Sequence, residues 1–115
     1  MNQLMIYDGP SDCDKTTYLE EHLRKFKNPL YLTGERFVSM LLKFVSSADC
    51  IAIDNIGAYL KGKEYKQEEA ALRILAMLYA NKTVLLSGYG LRESLSVFCN
   101  IIEKRADYMT EWIYL

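Results

Sequence analysis

The sequence predicts a three-layer α/β sandwich, a mostly parallel five-stranded sheet with helices on both faces. Two observations carry this. Short apolar runs alternate with longer segments of helical period, as repeated strand and helix units require. One of these runs, residues 50–53 (CIAI), is apolar at every position, as expected of a central parallel strand buried on both faces. At 115 residues the chain is read as a single domain, residues 1–115, with connections short enough for one compact core.

The first strand is residues 4–7 (LMIY), and the helix after it sets Leu19, Leu23 and Phe26 on one face, with Glu20, Glu21, Arg24 and Lys25 on the others. Asn28 and Pro29 end that helix. Residues 30–32 (LYL) form a second strand, after which Thr33 and Gly34 open a helix with Phe37, Leu41, Phe44 and Val45 at core spacing, closed by Ser46 and Ser47. The third strand, residues 50–53, stops at the polar pair Asp54 and Asn55. Residues 57–66 read as a connection rich in glycine and lysine, leading to a helix with Ala71, Leu75 and Leu78 on one stripe. Residues 83–86 (TVLL) are the fourth strand, and Ser87, Gly88, Tyr89 and Gly90 read as a flexible turn. A fourth helix carries Leu91, Leu95, Phe98 and Ile102, and residues 112–115 supply a fifth strand.

Residues 9–17, GPSDCDKTT, join the first strand to the first helix. Gly9, Lys15 and Thr16 stand in the register of the phosphate-binding pattern G-x-x-x-x-G-K-[ST], with Asp14 in place of its second glycine. In such a loop backbone N–H groups wrap the phosphates, the lysine offsets their charge and the hydroxyl ligates Mg²⁺. Lys15 and Thr16 retain those capacities. Asp14 puts a side chain where bare backbone approaches the phosphates, and brings a negative charge toward them. At about 4 Å and an effective dielectric near 20 one such pair costs roughly 4 kcal/mol, on the order of a thousandfold in affinity. Turning outward, or pairing with Lys15 at the expense of the lysine's charge, would relieve the repulsion, but the expectation is weak or absent triphosphate binding. The competing reading is a polar strand-to-helix turn in which Asp14 is simply the N-cap.

Asp54, ending the buried third strand, stands where nucleotide-hydrolysing proteins place the carboxylate that holds the magnesium shell. The next position usually carries a second carboxylate, but Asn55 can orient a water without accepting its proton, so hydrolysis is expected to be slow or missing. Ser87, at the end of the fourth strand, either contacts a γ-phosphate or attacking water, or merely begins the glycine turn. Arg92 and Arg105 read either as phosphate or interface arginines or, more commonly, as solvated surface, His22 as a surface or boundary residue, and Tyr59, Tyr65, Tyr79 and Tyr89 either as interface aromatics or, for most of them, as packing.

A net charge of −1 with both signs interspersed gives no field for nucleic acid or an anionic membrane. No run approaches the roughly 20 apolar residues of a membrane span, and MNQLMIYDG has no leader character, so a cytoplasmic location is expected. Cys13, Cys50 and Cys99 are too scattered for a disulfide framework or a zinc cluster and read as free thiols.

Taken in order, these segments resemble the AAA+ ATPase domain of the bacterial replication initiator DnaA and its regulatory homologue Hda. NQLMIYDGPSDCDKTTYLEEHL is similar to that family's first strand, phosphate loop and first helix, and PLYLTGERFVSMLL to its second strand and the helix with a recurrent phenylalanine. CIAIDNIGAYLKGKEYKQEEAALRIL resembles its Walker B strand and the glutamate-bearing helix after it, and TVLLSGYGLRESL its fourth strand with a sensor residue. The resemblance implies a P-loop sheet of order 5-1-4-3-2, an AAA+ base without the helical lid. It gives Gly9, Lys15 and Thr16 the Walker A roles and Asp54 the Walker B role, with Ser87 near the sensor position and Thr16 and Asp54 as the Mg²⁺ pair. Asp14, Asn55 and Gly88 depart from the family pattern, and no role is carried to Arg105. The initiator's DNA-contacting insertion and helix-turn-helix domain have no counterpart here, so direct nucleic-acid binding is not expected. The implied function is a degenerate core, without ATP hydrolysis, that acts through contacts with the initiator or with its own copies in regulating replication initiation. The alternative is a nucleotide-binding P-loop ATPase holding Mg-ATP or Mg-ADP through Lys15, Thr16 and Asp54.

Overall fold

The computed structural model describes residues 3–10, 13–39 and 47–115. Its elements run β1 (Gln3–Asp8), α1 (Lys15–Leu23), β2 (Pro29–Thr33), α2 (Gly34–Ser39), β3 (Cys50–Asp54), α3 (Gly57–Leu60), α4 (Glu64–Tyr79), β4 (Thr83–Gly88), α5 (Leu91–Ser94), α6 (Ser96–Ala106), a 3₁₀ turn (Asp107–Met109) and β5 (Thr110–Tyr114). The five strands pair in parallel in the order β2-β3-β4-β1-β5, the order implied by the resemblance. The expected helix positions Leu41, Phe44 and Val45, with Ser46, lie outside the described residues.

Strand alternation sorts the side chains onto two faces. Leu4, Ile6, Leu32, Ile51, Ile53, Val84 and Leu86 meet α4 and α6 through Ile74, Leu78, Phe98 and Ile102. Met5, Tyr7, Cys50, Ala52 and Leu85 point the other way, where Leu19 and Leu23 of α1 cover them. Ile51, Ile53, Val84, Leu85 and Leu86 are fully buried, and each contributes about 1.5–3 kcal/mol by leaving water. Ala71, Leu75 and Leu78 sit in this core, as their spacing predicts.

Several boundaries differ from the sequence reading. Helix α1 ends at Leu23, because the N–H groups of Lys25 and Phe26 bond back three residues to His22 and Leu23 and tighten the chain into a turn. Phe26 still packs on the α1 face of the sheet. The glycine- and lysine-rich connection contains α3, and α4 already begins at Glu64. The helix expected from Leu91 is broken at Leu95 (φ −123°, ψ 56°) into α5 and α6. Strand β5 starts at Thr110, because its parallel pairing with β1 begins at Leu4↔Thr110. Ser87 and Gly88 are buried residues of β4 paired with Tyr7 and Asp8, so the expected flexible turn is shorter than read.

Candidate functional site

The site is assembled at the carboxyl ends of the strands, where parallel sheets of this class gather their chemistry. Alternation puts Asp54, two residues after Ala52, and Ser87, two after Leu85, on the face that α1 covers. Thr16, in the first turn of α1, donates its hydroxyl to Asp54 Oδ2 at 2.7 Å. Fully buried Ser87 donates its own to Asp54 Oδ1, and its Oγ accepts the Asn55 backbone N–H at 2.8 Å. The fold therefore brings Thr16, Asp54 and Ser87 into one hydrogen-bonded cluster. Burial pushes the Asp54 carboxyl up, but the hydroxyls of Ser87, Tyr31 and Thr16 and the charge of Lys15 outweigh it, and the net effect holds it below the usual carboxylate value.

Gly9 follows β1, with its N–H on the carbonyl of Gly88 at 3.0 Å. The Lys15 ammonium folds back onto this turn and donates to the carbonyl oxygens of Gly9 at 2.6 Å and Pro10 at 2.9 Å. Asp14 takes the outward option. Its backbone is left-handed (φ 58°, ψ 46°) and its exposed carboxylate accepts from Thr17 Oγ1 at 2.8 Å. It makes no side-chain cap bond to the helix N–H groups, so the simple N-cap reading fails, because the left-handed backbone does not present the carboxylate as an N-cap does. Asn55 is also left-handed (φ 59°) and exposed.

Two contributors escaped the sequence reading. Tyr31 of β2 donates its hydroxyl to Asp54 Oδ2 at 2.5 Å, and burial together with that bond pushes its phenol up to about 12. Its face follows from the strand register: Tyr31 is level with Ala52, hence on the same face as Asp54 one pleat further on. Buried Asp8, assigned no role from the sequence, accepts the backbone N–H groups of Gly90 (2.8 Å) and Leu91 (3.2 Å) and clamps the start of α5 to β1. That closure leaves no room at Gly88, where an added Cβ would lie 2.5 Å from Leu91 Cδ2. Arg92 stays away from the cluster. Its guanidinium lies 4.2 Å above the Trp112 ring and pairs with Glu103 and the Tyr114 hydroxyl.

The oxygens of Thr16 and Asp54 have the chemistry to hold a divalent cation. Thr16 can keep its hydrogen bond to Asp54 and still offer an oxygen lone pair, Asp54 is held ionised, and the Lys15 charge acts on it. Among the described residues no cluster of three or more His, Cys, Asp and Glu forms an all-protein metal cage, and no helix is long and apolar enough to cross a membrane.

No protein-family model and no curated protein matches the sequence. Solved structures do. A replication initiator DnaA bound to AMPPCP and single-stranded DNA superposes with a TM-score of 0.75 at 15% identity, over 100% of this chain and 40% of that one. Domain III of the Thermotoga maritima replication initiation protein DnaA gives 0.65 at 20% identity, over 99% of this chain and 54% of that one. AMPPCP-bound DnaA from Aquifex aeolicus gives 0.65 at 17% identity, over 97% and 40%. The chain thus spans 40% to 54% of the length of these structures. At such identities the likeness is one of fold, and the fold of this chain is that of the DnaA AAA+ domain.

Proposed function

We propose that the chain is an initiator-like AAA+ core that has lost ATP hydrolysis and acts through protein contacts in regulating the start of DNA replication. The observation that carries this reading is an assembled Thr16–Asp54–Ser87 cluster followed, at position 55, by an asparagine and not by a proton-accepting side chain. Asn55, next after Asp54, can hold a water but cannot take its proton, and Asp54 itself is committed to three hydroxyls. The scaffold is kept while the chemistry is not. Contact through the surface is supported by the tyrosines: seven of the nine are exposed, among them Tyr65, Tyr79 and Tyr89, against the expectation that they pack. Exposed tyrosine combines apolar area with a polar tip, which suits protein interfaces. The partner is a replication initiator or a second copy of this chain, in a cytoplasmic setting.

The test has two arms. Purified chain is expected to show the same background ATP turnover as Lys15→Ala, and to form a complex with the AAA+ domain of a bacterial replication initiator, or with itself, in sedimentation velocity. Turnover abolished by Lys15→Ala, or a monomer indifferent to the initiator at micromolar concentration, overturns the reading.

A second reading is favoured by one specific geometry, the 2.7 Å Thr16–Asp54 bond with Lys15 adjacent. It is a nucleotide-binding chain that holds Mg-ATP or Mg-ADP without turnover, in keeping with the AMPPCP bound in two of the similar structures. Calorimetric titration with and without Mg²⁺ checks it, and no heat at millimolar nucleotide removes it.

A further inference from the structure

Asp54 accepts three hydroxyls, and they differ in what they leave available. A carboxylate offers about four lone-pair positions, two on each oxygen. Both positions on Oδ2 are taken, by Thr16 Oγ1 at 2.7 Å and by the Tyr31 hydroxyl at 2.5 Å. Oδ1 accepts from Ser87, which is wholly buried and is itself tied to the Asn55 N–H. The Thr16 bond is compatible with a bound cation, because the hydroxyl keeps its hydrogen bond to Asp54 while an oxygen lone pair stays free for the metal. Tyr31 is different. Its phenol reaches over from the edge strand β2 and fills the second position on the oxygen nearest Thr16, through which a cation seated on Thr16, or a water of its shell, touches Asp54.

We propose that Tyr31 gates divalent-cation entry at Thr16 and Asp54: its hydroxyl occupies the Oδ2 position the cation's shell needs, and the ring must swing away before the ion seats. Tyr31 as a residue is 39% exposed, on the edge strand, so solvent lies beside it and the swing needs no opening of the core. The bond it gives up is a hydrogen bond to an ionised acceptor, stronger than a neutral one. A free ion is therefore bound more weakly, whereas an ion carried by a phosphate chain, whose oxygens also contact Lys15, displaces the ring. The inference rests on the reading of Thr16 and Asp54 as a cation pair.

The test uses Mn²⁺ alone, titrated into the unaltered chain, Tyr31→Phe, Asp54→Asn and the Tyr31→Phe/Asp54→Asn double variant, with free ion followed by electron paramagnetic resonance. Tyr31→Phe is expected to bind Mn²⁺ on the order of tenfold more tightly than the unaltered chain, and the double variant to lose that gain. Tyr31→Leu, which also lacks the hydroxyl, must reproduce the gain, and unchanged far-ultraviolet circular dichroism establishes that each variant is folded. Equal affinity of the unaltered chain and Tyr31→Phe, with loss on Asp54→Asn, overturns the gate and leaves the cation pair standing. Binding to Tyr31→Phe that survives Asp54→Asn, or no binding to any form, overturns the cation pair and the gate with it.

Discussion

Ser87 and Asp54, 33 positions apart in the chain, share a hydrogen bond at the ends of neighbouring strands, and the same serine oxygen receives the first N–H after β3. One buried hydroxyl thus sets both the orientation of the carboxylate and the path by which the chain leaves the sheet. Ser87→Ala leaves the Asn55 N–H without its acceptor and takes one donor from an ionised group, so a loss of about 3 kcal/mol is expected in urea unfolding. The variant also moves the acid limb. The depressed Asp54 value means that its contribution is complete above the ordinary carboxyl value of 3.8 and disappears as pH falls through the folded value. Without Ser87 that disappearance is expected at higher pH, seen as an upward shift of the acid-unfolding midpoint.

Asp14→Gly tests the loop. Because the carboxylate is turned out to Thr17 and exposed, its repulsion of a phosphate chain is weaker than the contact estimate of roughly 4 kcal/mol. Nucleotide affinity in calorimetry is expected to rise about tenfold, not a thousandfold. The left-handed backbone is also cheaper for glycine, by under about 1 kcal/mol after loss of the Thr17 bond, so Tm should hold or rise slightly. Unchanged affinity would show that Asp14 is not what limits binding.

Asp8→Ala removes both acceptors of the clamp on Gly90 and Leu91. A buried pair of N–H groups is left unpaired, and a loss of about 3 kcal/mol is expected. Hydrogen exchange should localise the damage to residues 90–94 and the adjoining end of β5, while α1 and β2 keep their protection.

His22 gives the chain a pH dependence near neutrality. Its Nδ1 lies 3.0 Å from the Tyr7 hydroxyl, and burial, helped by the charge of Lys25, lowers its value below the usual 6.5. A base with a depressed folded value favours folding above its unfolded value and ceases to as pH falls through the folded one. Unfolding midpoints are therefore expected to decline as pH falls below the ordinary value of 6.5, and His22→Gln to flatten that decline. A slope unaffected by the substitution would assign the dependence to another group.

Arg92→Ala strips the cation from the face of the chain's single tryptophan. The guanidinium and its partner Glu103 are both substantially exposed, so the stability change should stay below about 1 kcal/mol. Trp112 emission is the sensitive readout and should shift. Nucleotide affinity should not change, because Arg92 is engaged with Trp112, Glu103 and Tyr114, away from the Thr16 cluster.

Most of the sheet was legible, because its signals are local. CIAI reads as a central strand wherever it lies, and the run is indeed fully buried. The Thr16, Asp54 and Ser87 positions were legible from a spacing and two strand ends. Tyr31 was hidden inside LYL, where alternation with leucine reads as ordinary edge-strand packing. Asp8 was hidden by its sequence neighbours, since a carboxylate between Tyr7 and Gly9 gives no hint that it will cap a backbone 82 positions away. The break at Leu95 was invisible for a related reason: Leu91, Leu95, Phe98 and Ile102 keep helical spacing across it, and all four are buried.

By itself the order of residues determined the alternation of strands and helices, the polar ends of the central strands and the presence of an aspartate at position 14. These are properties of spacing and composition, carried by a few neighbouring residues at a time. Only the tertiary structure decided where the Asp14 carboxylate turns, that Lys15 folds onto its own loop, and that a tyrosine from the edge strand closes the carboxylate at Asp54. The physical reason is register. Parallel pairing slides β2, β3 and β4 until their apolar faces match, and whichever polar side chains then lie level at the strand ends, drawn from residues 16 to 87, become partners.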